Sequence, residues 1–207
     1  MDQVESPHAV VPLEAGAGPD NPPCPACGEP LFGWIAQKRG LAGPVRRCES
    51  CGLGVVGEAG DPEAALHELD RLRDGETIRI ENRAGFGCSL GGAGWSGLRP
   101  DARYLFTVEA VRRLIARRDQ VVKSRRWQPG TSLAATWQTL LNSVTFGRNV
   151  ALRDMPAVPA AERWQRQIDA LASVVLAIPA LVIAIPVELA GGIFRRGAIL
   201  TIRIELF

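Results

Sequence analysis

A chain of 207 residues with an apolar share of 46% has material for one medium domain, or for a small module joined to a compact one. Its net charge of +2 excludes the overall basic field that drives non-specific nucleic-acid binding, although charge is unevenly spread along the sequence. Residues 1–20 lack the basic start and apolar core of a secretory signal, and their composition predicts a disordered tail. Without an export signal, the five cysteines are expected in a reducing, cytoplasmic compartment, where paired cysteines point to metal before disulfides.

Residues 21–57 carry the strongest signal. "CPACG" at 24–28 and "CESCG" at 48–52 are two C-x-x-C-G knuckles separated by 20 residues. Each knuckle turns two thiolates to one side, and the glycine after it permits the left-handed backbone of such a turn. Four thiolates from Cys24, Cys27, Cys48 and Cys51 close a tetrahedron with no open position, the donor set of a structural Zn2+ site. Between them, Leu31, Phe32, Trp34 and Ile35 read as strand, with turns at Gly40 and at Gly43-Pro44, so the module is a zinc ribbon. The fifth cysteine, Cys88, has no partner motif and reads as a small buried side chain.

From Asp61 the pattern changes to a helix. Asp61 suits the N-cap, Pro62 the first turn, and Ala65, Leu66, Leu69 and Leu72 give an apolar face that ends at Gly75. His67 falls beside that face and reads as a surface or packing residue. "TIRIE" then alternates as a strand at 77–81 and recurs at 201–205, which predicts an antiparallel pair burying Ile78, Ile80, Ile202 and Ile204 on one face.

Next comes the glycine-rich run 85–97, ending in "GAGWSG". That spacing is G-x-G-x-x-G, but a dinucleotide fingerprint needs a strand running straight into the turn and a helix starting inside it. Nine residues separate Asn82, the end of the strand candidate "TIRIEN", from Gly92, and Pro100 interrupts any helix after Gly97, so the run reads as a flexible loop.

Residues 112–126 carry seven basic side chains against one acid. Val108, Val111, Leu114 and Ile115 supply a core stripe for a helix over 107–118, leaving its arginines on the solvated outer face. Further on, residues 170–187 contain no charge over 18 positions, the lower limit for a membrane span. Pro179 and Pro186 are expected to disrupt it. A kinked apolar helix over 168–190, packed on the sheet or lying at a membrane interface through 170–187, is the expectation.

Taken in order, "DPEAALHELDRLRDGETIRIEN", "RPDARYLFTVEAVRRLIARRDQVVKSRR", "TWQTLLNSVTFGRN" and "IPALVIAIPVELAGGIFRRGAILTIRIEL" resemble the C-terminal half of class I S-adenosylmethionine-dependent methyltransferases, specifically a bacterial subgroup with an N-terminal zinc ribbon. The resemblance implies that 77–81 and the last strand are the antiparallel fifth and seventh strands of that fold. It also places "GAGWSG" in a variable loop away from the cofactor. The departure from the family is large. The four strands, glycine-rich loop and ribose-gripping acid that hold S-adenosylmethionine should lie between ribbon and helix, where this chain has only "GLGVVGEAG". The histidines usual before the aromatic-Thr pair are absent from "ARYLFT".

The fold class this implies is a small α/β protein: a zinc ribbon (21–57) followed by a partial Rossmann-like methyltransferase half (61–207) of about three strands with helices. Three functions compete. The first is a degenerate methyltransferase-like protein without S-adenosylmethionine or catalytic residues. It would act as a docking or accessory subunit, with self-association or a partner protein covering the apolar faces and edges left by the missing half-sheet. The second is an active methyltransferase completed by oligomerisation or by a partner chain, with Glu81, Asn82, Asp101 and Tyr104 nearest its site. The third is a nucleic-acid module using Arg112 to Arg126, disfavoured because Trp127 alone is at hand for base stacking.

Overall fold

Among the residues that the computed structural model describes, 21–36, 40–152 and 156–206, two four-stranded antiparallel sheets are flanked by five α-helices. The expected tail, 1–20, lies outside the described residues.

The first sheet has strand order β1-β2-β3-β6, from Leu31–Ile35, Val45–Cys48, Gly54–Val56 and Tyr104–Leu105. β1 is the strand expected between the two knuckles, while β2 and β3, which run into and out of the second knuckle, were not anticipated. The fourth, β6, comes from the second half of the chain and pairs Gly54 with Leu105 and Val55 with Tyr104. The knuckle module therefore shares its sheet with the C-terminal part of the molecule. It shares its core too: Cys24, Cys48, Cys51, Leu31, Leu53 and Val55 pack in one cluster with side chains of the first and third helices and of the second sheet.

Helix α1, Pro62–Arg71, begins as its sequence dictates. The Asp61 carboxylate accepts from the Ala64 amide at 2.7 Å, and Pro62 occupies the first turn, where no amide proton is needed. The helix ends at Leu72, not at Gly75. That glycine, with φ +58, turns the two-residue strand β4 (Arg73–Asp74) into β5 (Thr77–Glu81).

The second sheet has the order β4-β5-β8-β7, where β7 is Gln120–Trp127 and β8 is Ile199–Leu206. The pairing expected from the repeated "TIRIE" is present: Ile78 faces Ile202 and Ile80 faces Leu200, antiparallel. Ile78, Ile80, Ile202 and Ile204 are all buried, against α1 and against α3 (Val108–Ile115). β8 lies between β5 and β7 and is antiparallel to both. The opposite face of this sheet carries Thr77, Arg79, Thr201, Arg203 and Glu205, none of them buried. Ion pairs between Arg203 and Glu76 (2.8 Å) and between Lys123 and Glu205 (2.5 Å) cross its strands.

The glycine-rich run is not the flexible loop expected. It forms helix α2 (Phe86–Gly91) and a short 3-10 turn at Gly92–Gly94, packed against α4 (Pro129–Asn142). A Cβ on Gly87 would meet Thr136 at 2.8 Å, on Gly91 Thr139 at 2.1 Å, and on Gly94 Ser143 at 3.4 Å. These glycines recur at helical spacing and let two backbones approach, which is a packing role. The Ser96 amide donates to Thr139 and the Asn142 amide group to the Gly94 carbonyl, fixing the turn to α4.

The apolar segment differs from expectation in the other direction. α5 runs unbroken over Arg163–Ile193, 31 residues, with Pro179 and Pro186 inside it. It begins with a capping box between Glu162 and Gln165. α4 supports the stretch that holds both prolines, through an indole hydrogen bond from Trp137 to the Ala177 carbonyl at 2.8 Å on one side and a hydroxyl hydrogen bond from Thr136 to the Glu188 carboxylate on the other.

Candidate metal centre and exposed apolar helix

The four predicted ligands come together. Each knuckle is closed by a glycine amide bonding back to the first cysteine's carbonyl: Gly28 to Cys24 at 2.8 Å and Gly52 to Cys48 at 3.0 Å. Both glycines hold the left-handed backbone expected, with φ +82 and +75. The Sγ atoms of Cys24, Cys27, Cys48 and Cys51 all lie within 4.8 Å of one another, with Cys24 to Cys51 at 3.6 Å and Cys27 to Cys48 at 3.4 Å. A tetrahedral metal with metal–sulfur bonds of about 2.3 Å requires sulfurs roughly 3.8 Å apart. The residues present fit a metal ion with four sulfur ligands and no open position.

The surroundings tie this centre to the rest of the molecule. Thr107 Oγ1 donates to the Cys51 carbonyl at 2.6 Å while accepting from the Ala110 amide, so the N-cap of α3 is also a strut of the second knuckle. Arg83 donates to the Gly52 carbonyl and lies over the Trp34 ring at 4.8 Å. Sequence reasoning missed both struts, because their partners are 56 and 31 residues away. Cys88 is buried elsewhere, and burial pushes its thiol up to about 12.

The second reading of the sequence placed Glu81, Asn82, Asp101 and Tyr104 nearest a small-molecule site. Glu81 and Tyr104 do line a cavity of about 640 Å³, together with Arg99, Trp95 and Phe106. Burial pushes the Glu81 carboxyl up, opposed by Arg99 at 3.7 Å. Burial also raises the Tyr104 phenol. Asp101 pairs with Arg99 at 3.6 Å. Asn82 is occupied structurally: it donates to the Gly197 carbonyl and accepts from the Ala84 amide, joining β5 to the approach to β8.

The basic run 112–126 is split between elements. Arg112 and Arg113 sit on α3, where both pair with Glu109, and the rest lies on a 3-10 turn and β7. Trp127, the one aromatic available for stacking on a base, is turned inward. A Cβ on Gly192 or Gly197 would strike its ring, and its indole faces Glu188 at 3.3 Å.

The most exposed apolar surface lies on α5. At about 100° per residue, Leu171, Val175, Ile178, Val182, Ile185, Leu189 and Ile193 form one stripe, all exposed, with Ile178 at 74% and Ile193 at 78%. The opposite face is buried against the domain and holds two acids. Asp169 accepts from the Phe146 and Gly147 amides at 2.7 and 2.8 Å. Glu188 accepts from Thr136, Trp127 and the Ala198 amide. Each end of the stripe has an edge-to-face aromatic pair, Phe146 with Trp164 and Phe86 with Phe194. Arginines flank both ends, Arg163 and Arg166 before, Arg195 and Arg196 after. By length and composition this helix is long and apolar enough to cross a membrane.

Compared with family models, with curated protein sequences and with solved structures, the chain gives no match.

Proposed function

We propose that the chain is a zinc-stabilised docking protein of methyltransferase descent, without catalysis of its own, that attaches to a membrane surface through α5. The observation that carries the docking role is the exposed apolar stripe of α5, whose far side is held to the domain by Asp169 and Glu188. An unbroken apolar surface of this length needs a cover in water. The sheet does not offer a comparable surface, since its open face is charged; a partner expected there would meet Arg79, Arg203 and Glu205. The aromatic pair and arginines at each end suit a helix lying in the interface plane, with its rings at headgroup level. A span across the bilayer would carry α4 and its polar side chains into the hydrocarbon with it, which favours the in-plane arrangement. Four thiolates select zinc over harder metals, and free thiols suit the cytoplasmic face of that membrane.

Methyltransferase descent is supported by β8 standing antiparallel beside β5, as the resemblance implies for the fifth and seventh strands. Lack of catalysis rests on the passage from β3 to α1, residues 57–61, which leaves no room for a strand and a phosphate-binding turn. One observation favours the active reading: the cavity between Glu81, Arg99 and Tyr104 has the size and the few converging polar groups of a small-molecule site.

Two measurements on the zinc-loaded protein test this. In flotation with phospholipid vesicles, the native chain rises with the lipid and a Val175→Asp, Val182→Asp variant stays at the bottom. Calorimetric titration with S-adenosylmethionine gives no heat. Flotation of the variant equal to the native chain overturns membrane docking, and stoichiometric micromolar binding of the cofactor returns the enzyme reading to first place.

A further inference from the structure

The geometry points to a binding site for the phosphate headgroup of anionic lipids at the C-terminal end of α5, centred on Arg125 and Arg195, with Arg112 and Lys123 beside them. It rests on the docking role of α5 and specifies the chemistry of the surface to which that helix attaches.

Two hollows meet there, of about 440 and 550 Å³, and Arg112, Arg125 and Arg195 line both. Phe194 and Arg196 complete one, Lys123 and Gly192 the other, so both adjoin the last turn of the apolar stripe. The first hollow also contains Glu49 and Glu109; Glu49 pairs with Arg47 at 3.7 Å, Glu109 with Arg112 and Arg113 at 2.5 and 3.0 Å, and Lys123 in the second hollow pairs with Glu205 at 2.5 Å. Among the described residues, Arg125 and Arg195 have no carboxylate within ion-pair distance, and both are exposed. Guanidinium groups offer paired donors that match the oxygens of a phosphate.

Arg195 adds an independent observation. It holds a left-handed backbone, φ +57, immediately beyond the end of α5, where glycine is the residue that fits without strain. Its neighbour Arg196 lies over the Phe86 ring at 5.4 Å, and Phe86 packs on Phe194. The basic hollow, the aromatic pair and the apolar stripe are thus continuous.

The same charges argue against a second copy of the chain as the cover. An antiparallel pair of α5 stripes sets Arg163 and Arg166 against Arg195 and Arg196, and a parallel pair sets each arginine pair against its own kind. Either arrangement opposes like charges at both ends. An anionic lipid surface satisfies both.

The experiment is vesicle flotation with the zinc-loaded chain, comparing phosphatidylcholine alone with phosphatidylcholine containing phosphatidylglycerol. The native chain binds the anionic vesicles more tightly. Arg125→Gln with Arg195→Gln loses that gain, on the order of thirtyfold. The double variant keeps the native melting temperature and the native binding to phosphatidylcholine. The same charge removed at Arg71 and Arg73, on the α1–β4 side of the second sheet, leaves the gain intact. Equal native binding to both vesicle types overturns the headgroup site and leaves docking by α5 standing. An equal loss from the Arg71 and Arg73 variant also overturns it, as an effect of net charge. Glycerol phosphate in solution binding as tightly as the anionic vesicles assigns the hollow to a soluble ligand instead. A stable dimer that fails to float, and that Val175→Asp breaks, assigns the stripe to a second copy and overturns both readings.

Discussion

Thr107 donates its hydroxyl proton to the carbonyl of Cys51 at 2.6 Å and with the same oxygen receives the Ala110 amide. One side chain therefore ends the second metal knuckle and starts α3. Thr107→Val removes the cap and leaves the buried Cys51 carbonyl without its donor. The expected loss is about 1–3 kcal/mol, a fall in melting temperature of several degrees in a chain of this size. Thermal denaturation followed by circular dichroism measures it; Thr107→Ser, which keeps the oxygen, recovers most of the loss.

Metal removal should reach further than the knuckles. Leu31, Leu53 and Val55 pack in the same cluster as Leu66, Leu114 and Ile202. Stripping the metal with a chelator, or substituting Cys24→Ser, is expected to lower protection from amide hydrogen exchange in α1, α3 and β8 as well as in β1 to β3. Elemental analysis should find one zinc ion per chain. Loss of protection confined to the first three strands would show the module folding apart from the rest.

Gly91→Ala separates packing from propensity. Gly91 has helical backbone angles, φ −79 and ψ −25, so alanine in its place would ordinarily stabilise by up to about 1 kcal/mol. Here its Cβ would lie 2.1 Å from Thr139 Cγ2. The substitution is expected to destabilise by roughly 1–3 kcal/mol. Thr139→Ser with Gly91→Ala, which removes the offending methyl, should recover part of that in a double-mutant cycle.

Burial holds the Glu81 carboxyl above its ordinary range, with Arg99 only partly compensating. A carboxyl whose folded pKa is raised binds its proton more tightly folded than unfolded. Its ionisation therefore costs stability as pH rises above the ordinary carboxylate value and through the raised one. Glu81→Gln is expected to melt higher than the native chain at neutral pH, with the difference vanishing below the ordinary carboxylate range. Melting curves across that window decide; a Gln variant that melts lower at neutral pH would mean that the Arg99 contact outweighs desolvation.

What the sequence made legible was chemistry with local spacing. Cys24, Cys27, Cys48 and Cys51 announce their centre because each pair must share a turn, and the turn glycine comes immediately after. The shared face of Ile78, Ile80, Ile202 and Ile204 was legible as well, since a repeated alternation of apolar residues marks two strands that bury the same side; the register that sets Ile78 opposite Ile202 was not. Contacts with no local signature were not. Gly91 looks like loop material until Thr139, 48 residues on, is known to fill the space beside it. Pro179 and Pro186 look like breaks until α4 is seen to support the helix through them. The two residues of β6 carry too little pattern to announce that they would extend the first sheet.

The position of β8 has a consequence for how the chain is made. β5 and β7 precede α5 in sequence, yet they do not pair with each other; both are joined through β8, which comes after α5. The second sheet is therefore completed only by residues that follow the long apolar helix in sequence. Until β8 is made, β5 and β7 have no strand between them and Glu188 lacks its Ala198 amide donor. The last eight-residue strand thus closes the sheet and completes the polar anchor of α5 in one step.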